Sequence, residues 1–337
     1  MRAIELQEFG DPDGLRLVEL PDPEPGPGQV RVDLVAAALN RRDLWIRIGG
    51  KVELPAVLGS DGAGIVSAVG AGVEDVRPGD EVVINPSLDW GPDEEWAGPD
   101  FRILGVPDQG TYAERIVVGA QQVRSRPQRL SWLEAAALPL GGLTAWRVAV
   151  THGEAGPGRT ILVPGAGGGV STFLVQIAAA RGARVLVTSS SPEKLERARE
   201  LGAAGGALYT DEDWPEQVAP VDAVVDSVGA PVWEGALEAL RPGGRLVNFG
   251  DTARATAEVD LSRLYFGYLR IQGTTMGSPR EFDALLEHVQ RVEWRPVVDS
   301  VFPLARAADA HRRLDAPDRF GKVVLAIDEG RAGALPS

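Results

Sequence analysis

No cysteine occurs among the 337 residues. That absence removes disulfides, thiolate nucleophiles and cysteine-built zinc sites together. Positive charge is short as well. Thirty-four Lys and Arg stand against 48 Asp and Glu, a net charge of −14, which argues against nucleic acid or an anionic membrane as a partner because both need a basic surface. A bound dinucleotide would have to be held by local geometry rather than by the overall field. No apolar run is long enough to span a bilayer, and Met1-Arg2-Ala3-Ile4-Glu5-Leu6 lacks the apolar core of a signal peptide, so the expected location is cytoplasmic. The remaining composition, 44% hydrophobic and 24% charged, is that of an ordinary soluble protein, and the length suits two domains.

The most informative stretch is Thr-Ile-Leu-Val-Pro-Gly-Ala-Gly-Gly-Gly-Val-Ser at 160–171. An apolar run at 161–163 enters five residues with four glycines and leaves through 173–180, which has helical spacing and good helix formers. The pattern predicts strand, tight turn, helix. Glycines there let the backbone turn sharply and approach a pyrophosphate, with free N–H groups at the helix start meeting negative charge. Strict G-x-G-x-x-G is met at Gly165 and Gly167 but not at Val170, and Ser171 supplies the small residue where helix and strand pack. The downstream text strengthens the reading: strands at 184–188, 222–226, 244–250 and 269–273, with helices at 193–201 and 232–240, give the alternation of a doubly wound parallel sheet.

Residues 1–127 read differently. Short β-like runs at 3–7, 30–37, 65–69, 81–85 and 112–118 lie between turn-rich segments, the pattern of a small β-barrel or sandwich. Ser131 with Glu134 forms a capping box that opens a helix and marks entry into the middle block. A helix at 281–292 and a strand at 322–327 follow the middle block and are expected to return to the first domain. The tail 331–337 has the composition of a frayed end. The expected division is therefore 1–127 with 277–337 as one domain, and 128–276 as the dinucleotide-binding domain.

Gly59-Ser60-Asp61-Gly62-Ala63-Gly64-Ile65-Val66, with Gly70, Val73, Gly79, Asp80 and Val82, resembles the signature of the medium-chain dehydrogenase/reductase superfamily of zinc alcohol dehydrogenases and quinone oxidoreductases. Asn40-Arg41-Arg42-Asp43, Gly110 to Glu114, Leu143-Thr144-Ala145-Trp146 and Phe320-Gly321-Lys322 also match, so the resemblance runs nearly end to end. It implies an α/β chain: a Rossmann domain with a doubly wound, six-stranded parallel sheet complete by Gly273, plus a GroES-like β-barrel catalytic domain. It also implies pairing through 269–273, as a homodimer or homotetramer.

The resemblance breaks at the metal. Alignment puts Asn40, Ser60 and Leu140 where zinc members carry ligands, and an amide, a hydroxyl and an aliphatic side chain do not hold Zn²⁺. The lobe that bears a structural zinc in relatives carries Trp90, Asp93 and Trp96 instead, and the tryptophans are expected to pack it. His152, His288 and His311 lie outside the motifs and read as surface or helix residues. No metal is expected. Without one, reduction of a conjugated acceptor is favoured over alcohol oxidation, and Asn40 to Asp43 looks like the Asn-x-x-Asp pattern of the quinone oxidoreductase branch.

Asn40, Asp43, Ser60 and Asp61 are therefore the candidate catalytic residues, expected near the nicotinamide in the cleft between domains. Structural hydrogen bonding is the alternative for Asp43 and Asp61. For the cofactor, Ser189, Ser190 and Lys194 at the end of the second strand offer hydroxyls and an ammonium where an NAD site would offer a carboxylate, so NADP(H) is expected. Gly165, Ala166, Gly167, Gly168, Gly169 and Val170 form the predicted pyrophosphate turn. By resemblance Thr144, Ser227, Val228, Asn248, Phe249, Gly250, Thr274, Thr275, Met276 and Lys322 join the cofactor set, and the substrate is a small carbonyl compound or quinone. Two competing readings remain: an enoyl-thioester reductase (or alcohol dehydrogenase) of the same superfamily, with Arg41, Arg42 and Arg47 as a basic patch, and an NADPH-binding sensor or structural protein with little turnover.

Overall fold

The computed structural model describes residues 1–50, 52–253 and 256–333. In chain order the first part carries β1 (Arg2–Leu6), β2 (Leu15–Glu19), β3 (Gln29–Ala38), α1 (Arg41–Gly49), β4 (Ala56–Val57), β5 (Asp61–Val69), β6 (Glu81–Ile84), β7 (Ser87–Leu88), β8 (Arg102–Ile103), β9 (Arg115–Gly119), β10 (Val123–Ser125), α2 (Trp132–Ala137) and α3 (Pro139–Trp146). The middle carries β11 (Thr160–Val163), α4 (Gly169–Ala180), β12 (Arg184–Ser189), α5 (Pro192–Glu200), β13 (Gly205–Leu208), α6 (Trp214–Val218), β14 (Val221–Asp226), α7 (Ala230–Glu238), β15 (Leu240–Asn248), α8 (Leu261–Phe266) and β16 (Arg270–Gly273). Last come α9 (Pro279–Arg291), β17 (Val298–Pro303), α10 (Ala307–Asp315), β18 (Lys322–Ala326) and α11 (Glu329–Ala332).

Two compact units result, Met1–Gly141 with Ser278–Ser337, and Gly142–Gly277. In the first, β3 is the central strand. Its opening half alternates, Val30, Val32 and Leu34 inward with Arg31 and Asp33 outward, while 35–38 is buried on both faces. The change has a cause: β5 and β18 flank that half, and α2 lies on β3, β5 and β18. The sheet order is β10-β6-β5-β3-β18-β17, with β9 also on β3, and a three-stranded sheet β2-β1-β4 wraps the same apolar core. The C-terminal strand β18 pairs with β3 in this unit.

The division falls after Gly141 rather than at 127, because α2 buries Leu133 and its three alanines in the first unit. Its capping box forms as read: Glu134 N donates to Ser131 Oγ (3.3 Å) and Ser131 N to Glu134 Oε2 (2.7 Å). At the other end, α11 closes on a buried Ala332, so part of the expected frayed tail is ordered, and 334–337 lies outside the described residues.

The second unit is a parallel six-stranded sheet in the order β13-β12-β11-β14-β15-β16, the doubly wound arrangement whose chain order reverses beside β11. Five of its strands are the predicted ones. The sixth, β13, is Gly-Gly-Ala-Leu, which offers no β-branched side chain and pairs along β12 through its backbone alone. No helix among the described residues is long and apolar enough to cross a membrane.

Candidate active site

The first unit gathers its polar residues through strand register. Ala38 of β3 pairs with Asp61 of β5 on one side and Val324 of β18 on the other, so Asn40, Asp61 and Lys322 meet although 282 residues separate the outer two. Lys322 Nζ donates to Asn40 Oδ1 (2.6 Å) and Asp61 Oδ2 (2.8 Å), and Asn40 Nδ2 donates to Asp61 Oδ2 (2.9 Å). Leu140 N–H donates to Asp61 Oδ1 at 2.7 Å. Asp61 is fully buried and Lys322 is 3% exposed. Lys322, expected among the cofactor contacts, thus has its ammonium on the catalytic candidates. Burying such a pair is tolerated only because both ions are hydrogen-bonded to each other and to Asn40.

Asn40 caps α1 with an extended backbone, and Asp43 in the first turn reaches back to it. Asp43 Oδ2 accepts from Asn40 N (2.8 Å) and from the Tyr112 hydroxyl (3.0 Å), while Oδ1 has no partner. Burial raises the Asp43 pKa against the opposing pull of the Arg42 charge, the Asn40 amide, the Tyr112 hydroxyl and Lys322. Burial, then the Asp43 charge, keeps the Tyr112 hydroxyl protonated. Asp43 has no exposed surface and ties the start of α1 to Tyr112. Ser60 Oγ donates to Leu104 O (2.6 Å) and accepts from Arg42 Nη1 (2.8 Å).

These donors do not suit zinc. Two of the aligned positions, Asn40 Oδ1 and Ser60 Oγ, accept hydrogen bonds from cations, and the Leu140 side chain has no ligating atom. A divalent ion set against an ammonium and a guanidinium would be repelled. Among the described residues no group of three His, Asp or Glu is arranged to hold a metal. In the lobe at 89–101, Trp90 is buried, stands edge-on to Phe101 (5.3 Å) and donates its indole N–H to Asp93 O (2.7 Å), whereas Trp96 is 61% exposed. The expectation that tryptophans pack the lobe therefore holds for Trp90 and not for Trp96.

His311 is on a helix, α10, and is fully buried, edge-on to Tyr112 at 6.0 Å, with neither ring nitrogen hydrogen-bonded. Burial, helped by the Arg47 charge, pushes its pKa from 6.5 down to about 3. The unfolded chain then takes a proton near pH 6.5 that the folded one refuses until about pH 3, so stability falls with falling pH through that window, by about 1.4 kcal/mol per unit. His311→Leu is expected to remove that slope, as measured by urea midpoints at pH 5 and 7.5. An unchanged slope would mean that His311 is protonated in the fold.

The second unit brings the predicted cofactor residues to the carboxyl ends of its parallel strands. Gly165 and Gly167 after β11 have φ of +73° and +100°, and a Cβ on Gly165 would come within 3.1 Å of Val228. Gly168 caps α4 with no side chain on the first turn, so the N–H groups around Gly169 and Val170 suit a phosphate. Ala166 N is held by Thr188 O at 2.8 Å. The turn after β14 is fixed by Asp226, which accepts from Val228 N (2.8 Å), Gly229 N (3.0 Å) and Asn248 Nδ2 (3.3 Å); burial raises its pKa against those bonds.

Phe249 N bonds Asp226 O, Asn248 Nδ2 bonds Gly250 O, and Thr252 N bonds Ser227 O, tying two loops together. Thr274 N reaches Asn248 O (2.9 Å) and its hydroxyl accepts from buried Arg147 Nε (2.9 Å). Thr144 and Met276 are buried and Thr275 is exposed. Ser189 is buried and its Oγ accepts from Ser191 N at 3.2 Å, so of the expected 2′-phosphate hydroxyls only Ser190 faces outward. Lys194 lies half-buried in the first turn of α5, beside Glu193, which the Ser191 hydroxyl holds below the usual carboxylate range.

Three residues escaped the sequence reading. Asp226 had a signal, an acidic residue between a predicted strand and Ser-Val-Gly, where Asx geometry orders a turn. Arg147 sits in a π-helical turn at Arg147–His152, and Tyr112 was read only as part of a motif. Of the basic patch expected for a thioester, Arg41 pairs with Asp315 (3.2 Å) and buried Arg47 donates to Gly10 O, which leaves Arg42.

Residues 169–291 match the zinc-binding dehydrogenase family, and residues 26–128 the alcohol dehydrogenase GroES-like domain. A zinc-type alcohol dehydrogenase-like protein of Leptosphaeria maculans is 34% identical over 93% of this chain and 94% of its own. A quinone oxidoreductase of Pseudomonas aeruginosa is 33% identical over 96% and 99%. The crystal structure of an NAD-dependent alcohol dehydrogenase superposes with a TM-score of 0.92 at 43% identity, covering 97% of this chain and 100% of that one.

Proposed function

The chain belongs to the medium-chain dehydrogenase/reductase family and is an oxidoreductase, and on that premise we propose that it is a zinc-independent, NADPH-dependent reductase of quinones or α,β-unsaturated carbonyls. The observation that carries this reading is the Asn40–Asp61–Lys322 wall, in which oxygens at the aligned ligand positions accept from cations. Bound NADPH would supply the hydride.

The chain's own residues do the rest. The turn from Gly165 to Val170 receives the pyrophosphate at the start of α4, and Asp226 orders the loop of Ser227 and Val228. Ser190 and Lys194 take the 2′-phosphate, a role open to them because no carboxylate ends β12. Lys322 fixes the Asn40 amide: its oxygen is held by the ammonium and one N–H by Asp61, which leaves the second N–H as a donor. A solvent proton completes the reduction.

The partner surface follows from β16, an edge strand exposed along its length, beside Leu261, Tyr265, Phe266 and Tyr268, all exposed. Apolar side chains next to an open edge favour a second copy adding its own β16, giving a homodimer. NADPH oxidation with 1,4-benzoquinone and with a 2-alkenal, alongside equilibrium NADPH binding, tests the activity. Turnover with either acceptor and a clear preference over NADH is expected. Tight binding with no turnover across a broad acceptor panel would favour a sensor instead.

A further inference from the structure

The two cations of this wall differ in what they have left to give. Lys322 is nearly sealed and its charge is answered by Asp61. Arg42 is half-buried, and no carboxylate among the described residues lies within 4.0 Å of it. Both of its hydrogen bonds leave from Nη1, to Ser60 Oγ (2.8 Å) and Leu104 O (3.0 Å), so Nε and Nη2 keep their donors. Ser60 Oγ and Leu104 O are themselves bonded at 2.6 Å, which closes a triangle around Nη1 and fixes the plane of the guanidinium. A guanidinium whose plane is fixed and whose edge is free, in ion-pair contact with no carboxylate among the described residues although its charge acts on buried Asp43, is a receptor for anionic or paired oxygens.

We propose that Arg42, held at Ser60, binds the carbonyl oxygen of the acceptor and carries the negative charge that develops there; this rests on the reductase reading above. With an enone, a C–H bond would form at the β-carbon from the hydride that NADPH gives up with two electrons, as the C=C electrons move to give an enolate oxygen against Arg42. A solvent proton on the α-carbon then yields the saturated ketone. The substrate class narrows to acceptors whose charge collects on an oxygen, and a carboxylate should compete for the same edge.

Steady-state turnover of a 2-alkenal and calorimetric titration of benzoate test this on wild type, Arg42→Gln and Arg42→Lys, with thermal melts to show that each folds. R42Q is expected to lose about 10²–10³ in kcat with NADPH affinity unchanged, R42K to recover part of it, and benzoate to bind wild type but not R42Q. Turnover of R42Q within about threefold of wild type, or benzoate binding equal in both or absent from wild type, overturns the proposal. If wild type reduces no acceptor, the reductase reading fails, and the benzoate titration still decides whether Arg42 is an oxygen site.

Discussion

Lys322→Met is expected to destabilise the protein by about 3–5 kcal/mol, the penalty for leaving a buried carboxylate without its counter-ion. Asp61 has no exposed surface and Asn40 cannot replace the ammonium, because its own oxygen was held by the same Nζ. The lost bond also frees the Asn40 amide to turn, so kcat should fall in whatever protein remains folded. Asp61→Asn combined with Lys322→Met removes both charges and should recover most of the stability, which denaturant midpoints in a double-mutant cycle would show. A single-variant loss below about 1 kcal/mol would place the pair at an ordinary surface strength and remove it from the account.

Ser190→Asp is expected to reverse the cofactor preference. Ser189 is buried and engaged by Ser191 N–H, and Ser191 caps α5, so residue 190 is the exposed position proposed to meet the adenosine ribose. A carboxylate there would accept from a ribose 2′-hydroxyl and repel a 2′-phosphate. At an exposed site this repulsion is worth roughly 2–3 kcal/mol, or about a hundredfold in NADPH affinity. Binding titrations of NADPH and NADH to wild type and variant read it directly. Equal use of both cofactors by wild type, or a change under about threefold in the variant, would defeat the NADP(H) reading.

Much of this was written in the chain locally. The glycine turn at Gly165–Gly169, the capping box at Ser131 and the five predicted parallel strands depend on neighbours in sequence, and each is where its pattern put it. What was hidden depends on register or on backbone alone. Gly-Gly-Ala-Leu makes β13 without any strand-forming side chain, and β4, β7 and β8 are two residues each. Lys322 was legible as a motif residue, but its bond to Asn40 is set by β3 standing between β5 and β18, a fact no local pattern contains. Arg42 illustrates the same limit: three neighbouring arginines read as one basic patch, and helix geometry sends them to Asp315, Ser60 and Gly10.

The proposed hydride transfer relies on side-chain cations and no metal. Elemental analysis of the purified protein, with NADPH turnover measured before and after prolonged chelation, addresses it most directly. Far less than one equivalent of zinc and undiminished turnover are expected. Stoichiometric zinc whose removal abolishes activity, and whose return restores it, would contradict it.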